Sequence, residues 1–350
     1  MKRISEFDFV RILAAAAVVY IHSAYTAVSR LQSGDVWGPL FLTHNYSFFA
    51  VPAFIFITGA LVWTHPPDSG SRAYGQFLVH RLRVVVPAYL VWSAVFWFIT
   101  YSGYGWSKPG TGGAAGIIGF LWQVLTGTAW MHLYFVPIII CVYALTPLAA
   151  RVIGRSRVGA LVLSVGLAMI MILVWPVVAV DAPGIEVVIR LISFLPYAVC
   201  GAWYALRHTE NDEVTWVRSG WPGLLLGGLA LQTLYVTGTL GTWPAPVAYA
   251  VRFVWVVAII LGLMGGCAEL ARRYAITLSP ARVLASLTYW VFLIHPALLV
   301  VFYRISRSAG MPAVWSDPRY VILKWSFAFF CAFACAACYR WCTSRVRMRT

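Results

Sequence analysis

Apolar stretches of about 20 residues recur from one end of the chain to the other, separated by short segments that collect its arginines, prolines and glycines. About 20 residues of helix cross a hydrocarbon core of about 30 Å. Starting from a cytoplasmic N-terminus, the pattern predicts ten spans, at residues 7–28, 45–63, 84–102, 130–150, 158–178, 187–206, 220–240, 247–267, 284–303 and 319–342. The expected connections include an inner turn through His65 to Gly70, a glycine-rich outer loop from Gly103 to Gly127, and a charged loop from Arg207 to Arg218. The expected fold is therefore all-α: one polytopic membrane domain over residues 1–350, with no separate soluble domain and both termini cytoplasmic.

Composition strengthens this reading. Of the 350 residues 61% are hydrophobic and only 11% charged, and the mean hydropathy is +0.80. A formal net charge of +15 would point to nucleic acid in a soluble protein. Here the basic residues lie between apolar runs, and the ten-span arrangement puts about twice as many Lys and Arg inside as outside. Shifting the count by one span would place Arg151 to Arg157 and Arg272 to Arg282 on the wrong side. The first span carries Arg11 and His22 and ends without a clear small-x-small site, so it is read as a retained helix rather than a cleaved signal. Seven cysteines lie within or at the ends of apolar runs and do not form a disulfide framework pattern. Four of them, Cys331, Cys335, Cys338 and Cys342, recur at helical spacing in the last span and are read as small packing residues.

Chemistry concentrates in the first helix, FDFVRILAAAAVVYIHSAY from Phe7. Arg11 and His22 are eleven residues apart, which on an α-helix is about 20° after three turns and about 16.5 Å of rise. They point the same way at different depths, and the alanines Ala14 to Ala17 between them leave room for a close neighbour. An imidazole can take a proton from an attacking hydroxyl, and a guanidinium can hold phosphate with forked hydrogen bonds. Together they can bracket a long ligand with an anionic head. The competing structural reading has Arg11 snorkelling to the interface beside Asp8 and His22 bonding a neighbouring helix.

Other charged positions are secondary candidates. His80, Arg81 and Arg83 stand at the mouth of the third span, as phosphate ligands or as ordinary topogenic charge. Trp130, His132 and Tyr134 mark the entrance of the fourth, where an interfacial aromatic belt accounts for the tryptophan and tyrosine. Arg190 follows Glu186 by one turn. Arg252, among apolar neighbours, suits a polar cavity. P-loop, GxGxxG, GxSxG and HExxH patterns are missing from the sequence.

Six segments, in order, carry a resemblance to the acyltransferase 3 family of integral-membrane acyltransferases, and within it to the surface-polysaccharide O-acetyltransferase branch. Asp8-x-x-Arg11 followed by ten residues and His22 is similar to the family's Arg-x10-His signature. VPAFIFITGALVW from Val51 resembles the second-span pattern, with Thr58 where Ser is usual before Gly59. HRLRVVVPAYLVW resembles the basic segment leading into the third span, with His80 in place of an arginine. HLYFVPIIICVYALTPL from His132, FLPYAVCGAWYA from Phe194 and SLTYWVFLIHPALL from Ser286 resemble later landmarks.

The resemblance implies transfer of an acyl group, usually acetyl, from cytoplasmic acyl-CoA to a sugar hydroxyl in a bacterial cytoplasmic (inner) membrane. His22 matches the family's catalytic histidine and Arg11 its essential arginine, with Asp8 in the same motif counted beside them. Acetyl-CoA is the expected co-substrate, with Arg11, Arg81, Arg83 and Arg151 on its phosphates and no metal. His132, Arg190 and Arg252 are the expected acceptor residues. The expected acceptor is a surface polysaccharide or its lipid-linked repeat unit; a secondary metabolite such as a macrolide, or a non-enzymatic saccharide transporter, are the alternatives. General-base transfer and a transient acyl-histidine both remain open.

Overall fold

The computed structural model describes residues 6–31, 35–36, 38–64, 71–101, 116–153, 156–178, 189, 192–209, 215–239, 241, 243–273 and 278–347. In chain order its α-helices are α1 (Glu6–Val28), α2 (Pro39–Tyr46), α3 (Ala50–Thr64), α4 (Ser71–Tyr101), α5 (Ile117–Thr126), α6 (Phe135–Ile153), α7 (Arg157–Val178), α8 (Leu195–Thr209), α9 (Thr215–Val236), α10 (Ala245–Arg273), α11 (Leu278–Ser308) and α12 (Val321–Arg347). No strand occurs among the described residues.

Seven helices among the described residues are long and apolar enough to cross a membrane, and they coincide with expected spans one to four and eight to ten. The protein is an all-α, multi-pass membrane protein. The other three expected spans fall on α7, α8 and α9, and the start of the sixth lies outside the described residues. One correction concerns the glycine-rich connection. Residues 102–115 lie outside the described set, but Ile117–Thr126 is a helix where a loop was expected. Gly127 closes α5 with φ +72°, and a Cβ there would stand 2.4 Å from the Tyr134 Cα; left-handed backbone at a helix end favours glycine. The glycines that mark this end suggest a loop, while the seven apolar residues of the helix itself carry a weaker signal.

The chain divides into two compact units. The first comprises Pro52–Ser219 and Leu240–Ala258. In it α7 packs on α6 and α8, and α4 packs on α5 and α6. Helices α3 and α8 cross at backbone contact: a Cβ on Gly59 would lie 2.0 Å from the Ala198 carbonyl oxygen, and one on Gly201 would lie 1.9 Å from that of Phe56. Small residues let membrane helices approach this closely. Trp130 is not an interfacial belt residue as expected. It is 3% exposed and stacks on Phe96 with ring centroids 4.9 Å apart.

The second unit comprises Lys2–Val51, Gly220–Thr239 and Ile259–Thr350. There α1, α11 and α12 pack on one another, and α2 lies against α1. The alanine run admits α12 as its close neighbour, with the Trp325 indole N–H donating to the Ala16 carbonyl at 2.9 Å. Cys335, Cys338 and Cys342 on α12 are exposed, so they do not serve the internal packing expected of them. Lys324 on the same helix is fully buried; its ammonium donates to the Trp315 carbonyl at 2.6 Å and lies 5.1 Å from the centre of that indole. The contact clips the α11–α12 connection onto the start of α12. Replacing Lys324 with methionine keeps the aliphatic stem but leaves a buried carbonyl without its donor, for an expected loss of about 1–2 kcal/mol, measurable as a lower Tm of the purified protein.

Candidate active site

Helix α1 carries Asp8, Arg11 and His22 in the second unit. Asp8 is buried, while Arg11 and His22 are each partly exposed, as a pair meeting a ligand from one side requires. His22 faces α11. Its ring centroid lies 5.2 Å from that of His295, with the planes inclined by 36°.

His295 is fully buried, and its position follows from the residue after it. Pro296, inside α11, has no N–H, so the carbonyl four residues earlier, that of Phe292, loses its helical donor. The His295 side chain turns back along its own helix, with Nδ1 at 3.1 Å from the Val291 carbonyl, and it also bonds to the carbonyl of Phe292. Side-chain donors commonly compensate for proline in membrane helices.

His44 is the third histidine of this cluster, within electrostatic reach of His22. It is buried on α2 and meets Phe48 edge-on at 5.1 Å. Its neighbours in sequence hold it in place. The Thr43 and Tyr20 hydroxyls share a hydrogen bond of 2.7 Å, Gln232 donates to the Asn45 carbonyl at 2.5 Å, and Tyr46 and Thr233 share one of 2.6 Å. Thr43, Asn45 and Tyr46 of α2 are thus tied to α1 and α9. Among the described residues no group of three His, Cys, Asp or Glu side chains is placed to hold a metal ion.

The remaining expected site residues belong to the first unit. On α4, Arg81 packs its guanidinium over the rings of Phe77 and Tyr143, at 5.3 and 5.7 Å, whereas His80 and Arg83 are exposed. Arg151 is exposed near the end of α6. His132 is 2% exposed and meets Phe96 edge-on at 5.2 Å, beside the stacked Trp130. Arg252 is exposed on α10, with Tyr197 and Tyr249 within its electrostatic reach. Arg190 lies outside the described residues.

Within the second unit the structure therefore brings together one expected residue, His22, and two that sequence reasoning passed over, His44 and His295. A signal for His295 was present: histidine followed directly by proline in the middle of an apolar span pairs an ionisable group with a broken backbone bond. His44 had none, because the hydropathy pattern places the residues before 45 in a polar loop.

A partly exposed imidazole backed by a buried one, on a helix that carries a cation three turns away, can accept a proton in a water-poor setting and hold an anionic ligand at a distance. A model of the acyltransferase 3 family, described as an acyltransferase domain, matches residues 4–341. No curated protein and no solved structure matches the chain. The matched region takes in α1 with Arg11 and His22, the α3 glycine, and the whole of α11, and with it the chain belongs to the acyltransferase 3 family and is a membrane acyltransferase.

Proposed function

We propose that this protein transfers an acyl group, typically acetyl, from acyl-CoA to a hydroxyl of a cell-surface polysaccharide or its lipid-linked repeat unit, in a bacterial cytoplasmic membrane. The observation that carries the proposal is the disposition of α1. A guanidinium and an imidazole share one face about 16.5 Å apart along the axis, with His295 against His22 and His44 within its electrostatic reach. Arg11 then holds donor phosphate, and the thioester lies at His22. His22 takes the proton of the acceptor hydroxyl as the oxygen attacks the thioester carbonyl carbon. A C–O bond forms, the C–S bond breaks, and the proton on His22 passes to the departing CoA thiolate. The acceptor becomes an ester and free CoA leaves.

Donor binding separates this reading from that of a saccharide transporter, which has no use for CoA. Purified protein should gain thermal stability on addition of CoA, and Arg11→Ala should weaken the apparent affinity by about tenfold or more, the loss of a charged hydrogen-bonding partner being worth about 1.5–3 kcal/mol. A protein that melts at the same temperature with and without millimolar CoA overturns the assignment of the donor.

A further inference from the structure

His295 is a buried ionisable group on a second helix, and its hydrogen bonds determine which of its nitrogens carries hydrogen. Carbonyl oxygens only accept. Bonds from the His295 side chain to the Val291 and Phe292 carbonyls therefore require hydrogen on Nδ1, and in the neutral ring this leaves Nε2 as an acceptor. The ring faces His22 at a centroid separation of 5.2 Å. Nε2 is buried and makes no hydrogen bond in this arrangement, but the separation suits one: two imidazoles turned so that an N–H of one points at a nitrogen of the other have their centres about 5.2 Å apart, from a bond of about 3 Å and a ring radius of roughly 1.1 Å on either side. His44, within electrostatic reach of His22, belongs to α2, and Lys324 of the neighbouring α12 has its ammonium on Trp315. Among these groups, the one whose protonation the backbone dictates is His295.

We infer that His295 is the positioning residue of the acyl transfer, its Nε2 accepting the His22 N–H that faces away from the substrates once the two rings turn toward each other. This rests on the functional reading above. The arrangement fixes the His22 tautomer so that its other nitrogen meets the acceptor hydroxyl. When His22 has taken the acceptor's proton it is an imidazolium with two N–H groups in a poorly solvated place. One is then held by His295 Nε2 and the other is returned to the CoA thiolate. His295 keeps its own Nδ1 hydrogen on the α11 carbonyls throughout and undergoes no net change. It plays the part of the third group that orients the base in a nucleophile–base–orienter arrangement, with a neutral imidazole in place of a carboxylate. Pro296 belongs to the device, since a continuous helix would satisfy the Phe292 carbonyl from its own backbone.

The test uses membranes from a deletion strain complemented with each full-length variant at equal protein level. It measures label passing from radiolabelled acetyl-CoA into product freed of CoA. His295→Leu should lower kcat by about 30-fold or more, within the range of acid–base effects, and leave KM for acetyl-CoA within about twofold. His295→Gln, whose amide oxygen can take the place of Nε2 as acceptor, should recover kcat to within about tenfold of the parent. Undiminished kcat in His295→Leu overturns the inference, and so does a His295→Gln protein as slow as the leucine variant while it still shows the CoA thermal shift. If the leucine variant loses that shift through misfolding, the glutamine variant decides alone. His22→Ala, run in parallel, separates the two levels of the argument. Parent membranes that pass no label overturn the functional reading itself; an active His22→Ala protein removes the base that His295 would orient, and an inactive one beside an active His295→Leu overturns only the role of His295.

Discussion

Replacement of His22 by alanine is expected to reduce acyl transfer by a factor of about 10² to 10⁴, the usual contribution of a positioned general base, while the protein still folds and still binds CoA. The size follows from the surroundings. In water a lost base is partly replaced by solvent, but His22 stands against the buried ring of His295, which limits the solvent that could take the hydroxyl proton in its place. The sparing of the fold follows as well. His22 is partly exposed, whereas α1 is held by its other faces: Ala14, Ala15, Val18, Val19, Ala24 and Ala27 are buried. The Trp325 bond reaches the α1 backbone rather than a side chain. Label transfer from radiolabelled acetyl-CoA measures the first quantity and the CoA thermal shift the second. Retained transfer in a folded His22→Ala protein would remove the base from the mechanism. Lost transfer together with a lost CoA shift would instead make His22 a structural residue.

The parts of the molecule that were legible in the sequence are those in which one element carries its own message. The alignment of Arg11 with His22 is a property of a single helix, and seven of the ten expected spans have the length and apolarity that define a crossing helix. What escaped depends on two elements meeting. SLTYWVFLIHPALL reads as one more apolar span until α11 is seen against α1; only then does its histidine acquire a partner. Trp130 resembled a belt residue because tryptophan at the end of a span usually is one, and the ring of Phe96, more than thirty residues earlier on α4, draws it inside instead. The candidate site was half legible for the same reason. The sequence names the base and the cation on α1, while the groups that surround the base come from α2 and α11, whose register against α1 is set by packing.

Gly59 and Gly201 offer the sharpest test of that packing, and the expected result is a mutual dependence. Gly59→Ala alone, or Gly201→Ala alone, should destabilise the first unit by about 3 kcal/mol, at the upper end of overpacking costs. The added methyl would meet a carbonyl oxygen of the opposite helix at 2.0 or 1.9 Å. No rotamer change relieves a contact between a Cβ and a backbone atom, so α3 and α8 must separate by more than an ångström, and Phe56 and Tyr204, whose rings lie 5.8 Å apart, must follow. The residue before Gly201, Cys200, shares a 3.0 Å hydrogen bond with Ser164 of α7, so the displacement reaches α7 too. Once one alanine has pushed the helices apart, the second finds the space already open. The double variant should therefore lose clearly less than the sum of the single losses, as residues coupled through one backbone shift do. Tm values of the four purified proteins measure this. Strict additivity would mean that the two glycines answer separate local clashes and that α3 and α8 do not move as rigid rods.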